Sequence, residues 1–428
     1  MTAAVLFGGG GRSAPIFNLF VQIPALVLLS VSLPNFRRFL DDAPRAFIGL
    51  LVFTLGLPLF HIVPLPSEIW SALPGRDLVA ESLELIGRSD AWMPISVDPS
   101  LSLLAFTGLV TPFAALVLAW NQPRSWWGDV LSALFVLTIV LLLVGALQLA
   151  SGGDVLDLYR GGSSDRLSGT FANHNSAGLF LVLILTLLIS CGDQIPRGPF
   201  KVRPARIAFG VVCVIGIGLT QSRSSIALAV IPMVLLAVRL IQEHLKLRLG
   251  MRETLIALIG VGALLVISVG VLSTPRAQQV FDRFSSFEDL RPAIWEDGLV
   301  SAERFWLVGS GMGTFDEVFQ LDESLEHVTP RRAGRAHNDF LEVAIEAGLL
   351  GLGLIAAWIV YLSAATVRRL RSGISWRVIG PSAALLCIAL QSVVDYPLRN
   401  QALLCVAALL VAFLLSGDRD GGREVVRG

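Results

Sequence analysis

The chain has 428 residues, 54% apolar and 15% charged, and its mean hydropathy is +0.71. Folded in water, it would be coated in exposed hydrocarbon, so the solvent that fits is a lipid bilayer. The formal net charge is zero, which excludes a general basic field for nucleic acid.

From the N-terminus, residues 1 to 15 hold a Gly-rich stretch without the basic start and small-residue cleavage site of a signal peptide, and read as a short tail entering the first span. Apolar runs long enough to cross a bilayer as helix then follow near 14–33, 44–63, 98–119, 129–150, 172–190, 206–220, 224–241, 254–273, 340–364, 378–394 and 400–416. The cysteines, Cys191, Cys213, Cys387 and Cys405, all fall in or beside these runs, so neither a disulfide framework nor a thiolate metal site is implied. The fold class expected is all-α and membrane-integral. Residues 1–273 make an N-terminal membrane part of about eight spans, 274–338 a large loop, 339–416 the C-terminal helices and 417–428 a tail.

Orientation follows from the connecting segments, because Lys and Arg stay on the cytoplasmic side. One alternating set of connections carries 19 basic residues, among them Arg37, Arg203, Arg239, Arg371 and Arg377; the other, apart from the long loop, carries 7. The first set is therefore read as cytoplasmic, which puts 64–97, 151–171 and 274–338 on the outer side. In the first of these, an amphipathic stretch from Asp77 to Ile86, flanked by Trp70 and Trp92, suits a helix lying in the membrane interface.

Span interiors hold almost no ionisable residues, which disfavours an ion-coupled transporter. Polar chemistry gathers instead at the outward ends. The densest group is Arg331, Arg332, Arg335, His337, Asn338 and Asp339, running straight into a span. Asn338 or Asp339 can cap that helix, and Asp339 with Glu342 has capping-box spacing. A histidine at such a helix end can act as a base, and the unpaired backbone N–H groups beside Arg forks suit a phosphate. A cap that meets lipid headgroups would use the same residues. Arg166 precedes His174 and Asn175 at the mouth of another span, and Arg223 stands in a tight outward turn where it needs an anion or a carbonyl nearby.

Within the long loop, Arg291 followed by Pro292 reads as a helix start. Gly309 to Phe315 reads as a flexible Gly-rich loop, without the Lys and strand-helix context of a nucleotide site. No carboxylate or histidine spacing suggests a metal.

The run His337-Asn338, then nine residues, then Gly348 to Gly351, resembles the signature of the O-antigen ligase and O-antigen polymerase superfamily of membrane glycosyltransferases. Gly169 to Asn175, Gln221 to Ser224, Gly309 to Phe315 and Asp395 to Arg399 resemble the same family. The resemblance implies a GT-C-like fold of about 11 to 12 transmembrane helices with a large periplasmic loop. It also implies transfer of a glycan from undecaprenyl diphosphate to an acceptor hydroxyl at the outer face of the bacterial inner membrane. The acceptor would be lipid A core or a growing polysaccharide. On this resemblance His337 activates the acceptor, while Arg223 and Arg291 contact the diphosphate; Arg335 is added from the physical reading. Arg166, His174, Asn175, Asn338 and Arg399 are expected to support them. No cofactor, metal or nucleic acid is implied, and the non-protein partners are the lipid-linked donor and the surrounding membrane lipids. A protein O-oligosaccharyltransferase and a lipid or sugar transporter are the alternatives.

Overall fold

The structure is a computed structural model describing residues 1–11, 14–120, 122–123, 125–159, 165–245, 290–328 and 332–416. Helices come in the order α1 (Thr2–Phe7), α2 (Pro15–Val31), α3 (Leu33–Asp42), α4 (Arg45–His61), α5 (Ser67–Trp70), α6 (Asp77–Leu85), α7 (Pro99–Trp120), α8 (Trp126–Ala150) and α9 (His174–Cys191). They continue with α10 (Arg203–Leu219), α11 (Arg223–Leu228), α12 (Val230–Leu245), α13 (Arg291–Arg304), α14 (Phe315–Asp322), α15 (Asp339–Ser372), α16 (Trp376–Gln391) and α17 (Gln401–Leu415). The strands among the described residues are β1 (Pro64–Leu65) and β2 (Met93–Pro94), an antiparallel pair that closes the loop between α4 and α7.

Every apolar run read from the sequence coincides with a helix except 254–273, which lies outside the described residues. Among the described residues, α7, α8, α9 with its following turn, α11 with α12, and α15 are each long and apolar enough to cross a membrane. α2 and α3 together would make a further span, but they meet at a bend of 78°. α4, α16 and α17 are apolar but shorter, roughly 22–26 Å at 1.5 Å per residue. The protein is an all-α membrane protein.

α9 is the centre of the bundle. Its sequence is apolar on every face, and residues Asn175 through Cys191 are all buried, with α8, α10, α12 and α16 packed around them. Side chains left exposed on α2, such as Ile16, Phe20, Ile23 and Val31, would leave hydrocarbon in water and are the surface a bilayer covers.

Three local expectations are corrected. Residues 2–7, expected as part of a short tail, form α1, packed against α2, α8 and α17 with Ala4 and Val5 buried. The following Gly9 is tied by its carbonyl to Ala172 N–H and Asn400 Nδ2, at 3.1 and 3.0 Å. Trp70 is not an interface aromatic; it is 1% exposed and donates from its indole to the Ala91 carbonyl at 2.8 Å, so it forms the core of the loop it was expected to flank. Trp92 and the residues of α6 do remain unburied, as expected.

The third correction concerns Gly309–Phe315, which is pinned rather than flexible. α15 breaks at Gly348, whose φ of 54° lies in the left-handed region. In an unbroken helix Leu349 N–H would bond the Ile345 carbonyl. Here Leu349 donates to Leu307 O at 3.0 Å, and the freed carbonyls of Ile345 and Glu346 accept from Ser310 N and Gly311 N at 2.9 and 2.8 Å. A Cβ on Gly309 would stand 2.3 Å from the Glu346 carbonyl, and one on Gly348 would stand 2.4 Å from Leu307 O, so backbone approaches backbone where only glycine fits. Two buried side chains clamp the loop from the other side. Arg76, 2% exposed, donates to the carbonyls of Gly309 and Ile95, and the His61 Nδ1 accepts Met312 N–H at 3.1 Å.

Candidate active site

His337 is fixed by the residues on both sides of it. Ala336, just before, offers its carbonyl to the Trp295 indole at 2.8 Å and its N–H to Glu342 Oε2 at 3.2 Å. Asn338, just after, is the N-cap of α15, accepting from Phe340 N and Leu341 N at 3.0 and 3.1 Å. Asn338 is thus the cap, and the Asp339–Glu342 capping box does not form: Asp339 accepts from Leu398 N at 3.1 Å, and Glu342 turns to Ala336 and Arg335. Between these anchors His337 has φ 50°, a left-handed conformation that a side-chain-bearing residue holds only when its surroundings impose it.

That conformation sets the ring, about a third exposed, against the end of α16. His337 Nδ1 lies 3.1 Å from Oδ1 of the buried Asp395, and the ring meets Tyr396 edge-on at 5.0 Å. In the neutral ring a proton on Nδ1 is held by Asp395, which leaves the Nε2 lone pair as the basic position. Asp395 Oδ2 is reached by Asn173 Nδ2 at 3.5 Å and by Gln391 Nε2 at 3.4 Å. Burial and the neighbouring Asp395 charge push the Tyr396 phenol up to about 12, so it stays neutral, and its oxygen accepts from Asn173 at 3.0 Å.

Arginines lie on the segments that meet this histidine. Arg335 donates to Glu342 at 2.6 Å and lies over the Tyr396 ring at 5.9 Å. Arg166 Nη1 is 3.5 Å from His174 Nε2, and the charges of Arg166, Asp395 and Arg291 all act on the His174 ring. Arg291 begins α13 one turn before Trp295, the residue that holds the Ala336 carbonyl, so it is carried to the same side as His337. Arg223 is exposed at the start of α11, whose Ser222 caps Ser225 N; the adjacent Ser224 hydroxyl accepts from Gln391, the same amide that reaches Asp395. Gln221, next in the turn, binds the Asp165 carbonyl at 3.0 Å, tying the Arg223 turn to the Arg166 loop.

Two of the residues expected to support the site are buried in contacts of their own. Arg399 is surrounded by Glu346 Oε2 at 2.7 Å, Glu342 Oε1 at 3.3 Å and Asp339 Oδ1 at 3.7 Å. Burial alone would lower its affinity for a proton, but these carboxylates raise it, so Arg399 is a fixed structural cation. Asn175 is buried in α9, and its carbonyl accepts from the Ser225 hydroxyl at 3.3 Å. Arg332 pairs with Asp316 on the surface, and Arg331 lies outside the described residues. Among the described residues no three His, Cys, Asp or Glu side chains are arranged to hold an ion, the α15 carboxylates converging on Arg399 instead.

The sequence by itself gives no role to Asp395, Tyr396, Asn173 or Gln391. A signal was present, since Asp395 and Tyr396 open one of the motifs and Asn173 sits inside another. What was missing was distance: Asp395 is 58 residues from His337, and Asn173 is 222 residues from Asp395.

Residues 208–356 of the chain match the family model described as O-Antigen ligase, a segment that holds Arg223, Arg291, Arg335 and His337 and ends past Gly351. The match bears out the resemblance drawn from the motifs. No curated protein matches the chain.

Proposed function

We propose, from the O-antigen ligase family segment that this chain carries, that it is a membrane glycosyltransferase moving a glycan from undecaprenyl diphosphate to an acceptor hydroxyl at the periplasmic face of the bacterial inner membrane. The observation that carries this reading is His337 seated on Asp395, with Arg335 over the adjoining Tyr396 ring. His337 Nε2 takes the proton of the acceptor hydroxyl as its oxygen forms a bond to the anomeric carbon. The bond from that carbon to the diphosphate oxygen breaks on the opposite side, and the electron pair leaves on the diphosphate. Arg223, Arg291 and Arg335 hold the growing negative charge, with Arg166 and His174 beside them.

Asp395 orients the imidazole and stabilises it once protonated, a positioning role, while Asn173 and Gln391 hold Asp395. Displacement from the far side inverts the anomeric configuration, and the diphosphate bond supplies the driving force. Lipid A core and a growing polysaccharide are the acceptor classes this chemistry serves, since each offers a sugar hydroxyl. The test is transfer by purified protein from a lipid-linked glycan to a sugar acceptor, with the product's anomeric configuration read by NMR. An inverted product with release of undecaprenyl diphosphate is expected; a retained configuration would rule out single displacement by a His337-activated hydroxyl.

A further inference from the structure

We infer that the end of the bundle opposite His337 holds a second site, one that binds a phosphate group. α9, α15, α16 and α17 each bring one end to the His337 region. Their other ends meet around a cavity of about 170 Å³, many times the ~10–15 Å³ that one water needs. Arg369, Arg377, Ser372, Ser375, Gln194 and Trp127 line it, and none of its described lining residues is acidic. The site is independent of the glycosyltransferase reading.

The surroundings favour an anion. Ser375 is the N-cap of α16 and accepts Arg377 N–H at 3.2 Å, so the positive end of that helix opens on the cavity. Arg369 is anchored by donation to the Leu414 carbonyl, which fixes its guanidinium at the wall. The acid nearest in sequence to the lining, Asp193, is bound by Arg206 at 2.7 Å and by Arg239, and Arg239 in turn lies over the Trp376 ring at 5.7 Å. Serine hydroxyls and the planar forks of arginine are the donors that a phosphate's oxygens match. Basic pockets between membrane helices at the arginine-rich end take anionic headgroups by this chemistry, and this end carries the arginine-rich connections of the sequence. A phospholipid headgroup and free phosphate share it.

The experiment uses full-length protein purified in detergent and stripped of lipid, with phosphatidylglycerol added and bound lipid counted by native mass spectrometry. Losing one arginine-phosphate contact should lower lipid retention about tenfold or more. Arg377→Gln, at an exposed position, should show this loss, and Ser375→Trp, which fills the cavity without removing charge, should show it too. Arg371→Gln, an exposed arginine outside the cavity, should bind as the parent does. Displacement of the lipid by millimolar inorganic phosphate would assign the site to free phosphate as well; retention under that challenge would assign it to the lipid headgroup. Parental binding by both Arg377→Gln and Ser375→Trp, or an equal loss in Arg371→Gln, would overturn the site.

Discussion

His337 is a side chain whose backbone has been given up to its neighbours: Trp295 and Glu342 hold the residue before it, Asn338 caps the helix after it, and the remaining freedom is spent at φ 50° to reach Asp395. His337→Ala should therefore lower transfer by about 10² to 10⁴, the usual loss of a general base, while donor binding measured on the same preparation persists. Near-parental transfer by that variant would return the ring to a membrane-surface cap. Arg223→Lys and Arg291→Lys separate grip from charge, since Lys keeps the charge and loses the planar fork; most activity should disappear, and Lys variants of both that work like the parent would remove the arginines from the diphosphate. Arg399 makes the opposite prediction. Its removal leaves Asp339 and Glu346 buried without their cation and Glu342 with Arg335 alone, so Arg399→Met should destabilise the fold by about 3–5 kcal/mol, read as a lower unfolding temperature in detergent. Adding Glu346→Gln should recover part of that loss.

At the level of elements, the decisive device is the break in α15. The carbonyls released at Gly348 become the seat of Gly309–Phe315, and that loop is held in turn by Arg76 from the loop between α4 and α7 and by His61 of α4. Gly348→Ala meets both a left-handed φ and a backbone oxygen at 2.4 Å, and should reduce folded yield as well as transfer per folded molecule. Ala substituted at Gly353, where nothing lies within 4 Å, should leave both unchanged. The segment of α13 and α14 carries a pH-dependent contact of its own. The hydrogen bond to Asp297 raises the His327 affinity for protons, and Ser324 N and Oγ converge on the same carboxylate. A histidine raised above its ordinary value stabilises below about 6.5 and loses that contribution as pH climbs through the raised value. Hydrogen exchange at residues 324–328 should thus quicken on going from pH 6 to pH 8 beyond its intrinsic pH dependence, and His327→Gln should abolish the excess.

For the whole molecule, orientation is the claim on which the proposed chemistry depends, because a lipid-linked donor presented on the other face would never meet His337. Reporter fusions after Arg371 should register cytoplasm, and fusions within 305–325 should register periplasm; the reverse pattern would strand the proposed site in the wrong compartment. Transfer by the purified protein should also survive EDTA, since arginines are proposed to do the electrostatic work. Activity that vanishes with chelator and returns with magnesium would assign that work to an ion.

What the sequence determined by itself is what depends on local composition and period. The apolar runs fix helices and the membrane because a bilayer requires every backbone hydrogen bond to be made within the protein, and continuous apolar runs of this length make theirs as helix rather than as the short alternating strands of a barrel. The helix starts at Arg291 and after Asn338 were equally legible, because capping is a matter of a few neighbouring residues. Tertiary structure alone decided which polar groups share a site. Asp395 and Asn173 come to His337 only when α9, α15 and α16 pack, and Arg399 proved to be a buried counter-ion only once three carboxylates a turn apart on α15 were seen to face it. The glycines of 309–313 gave the same lesson: a Gly-rich segment reads as pliable in sequence, whereas here the missing side chains let two backbones lock together.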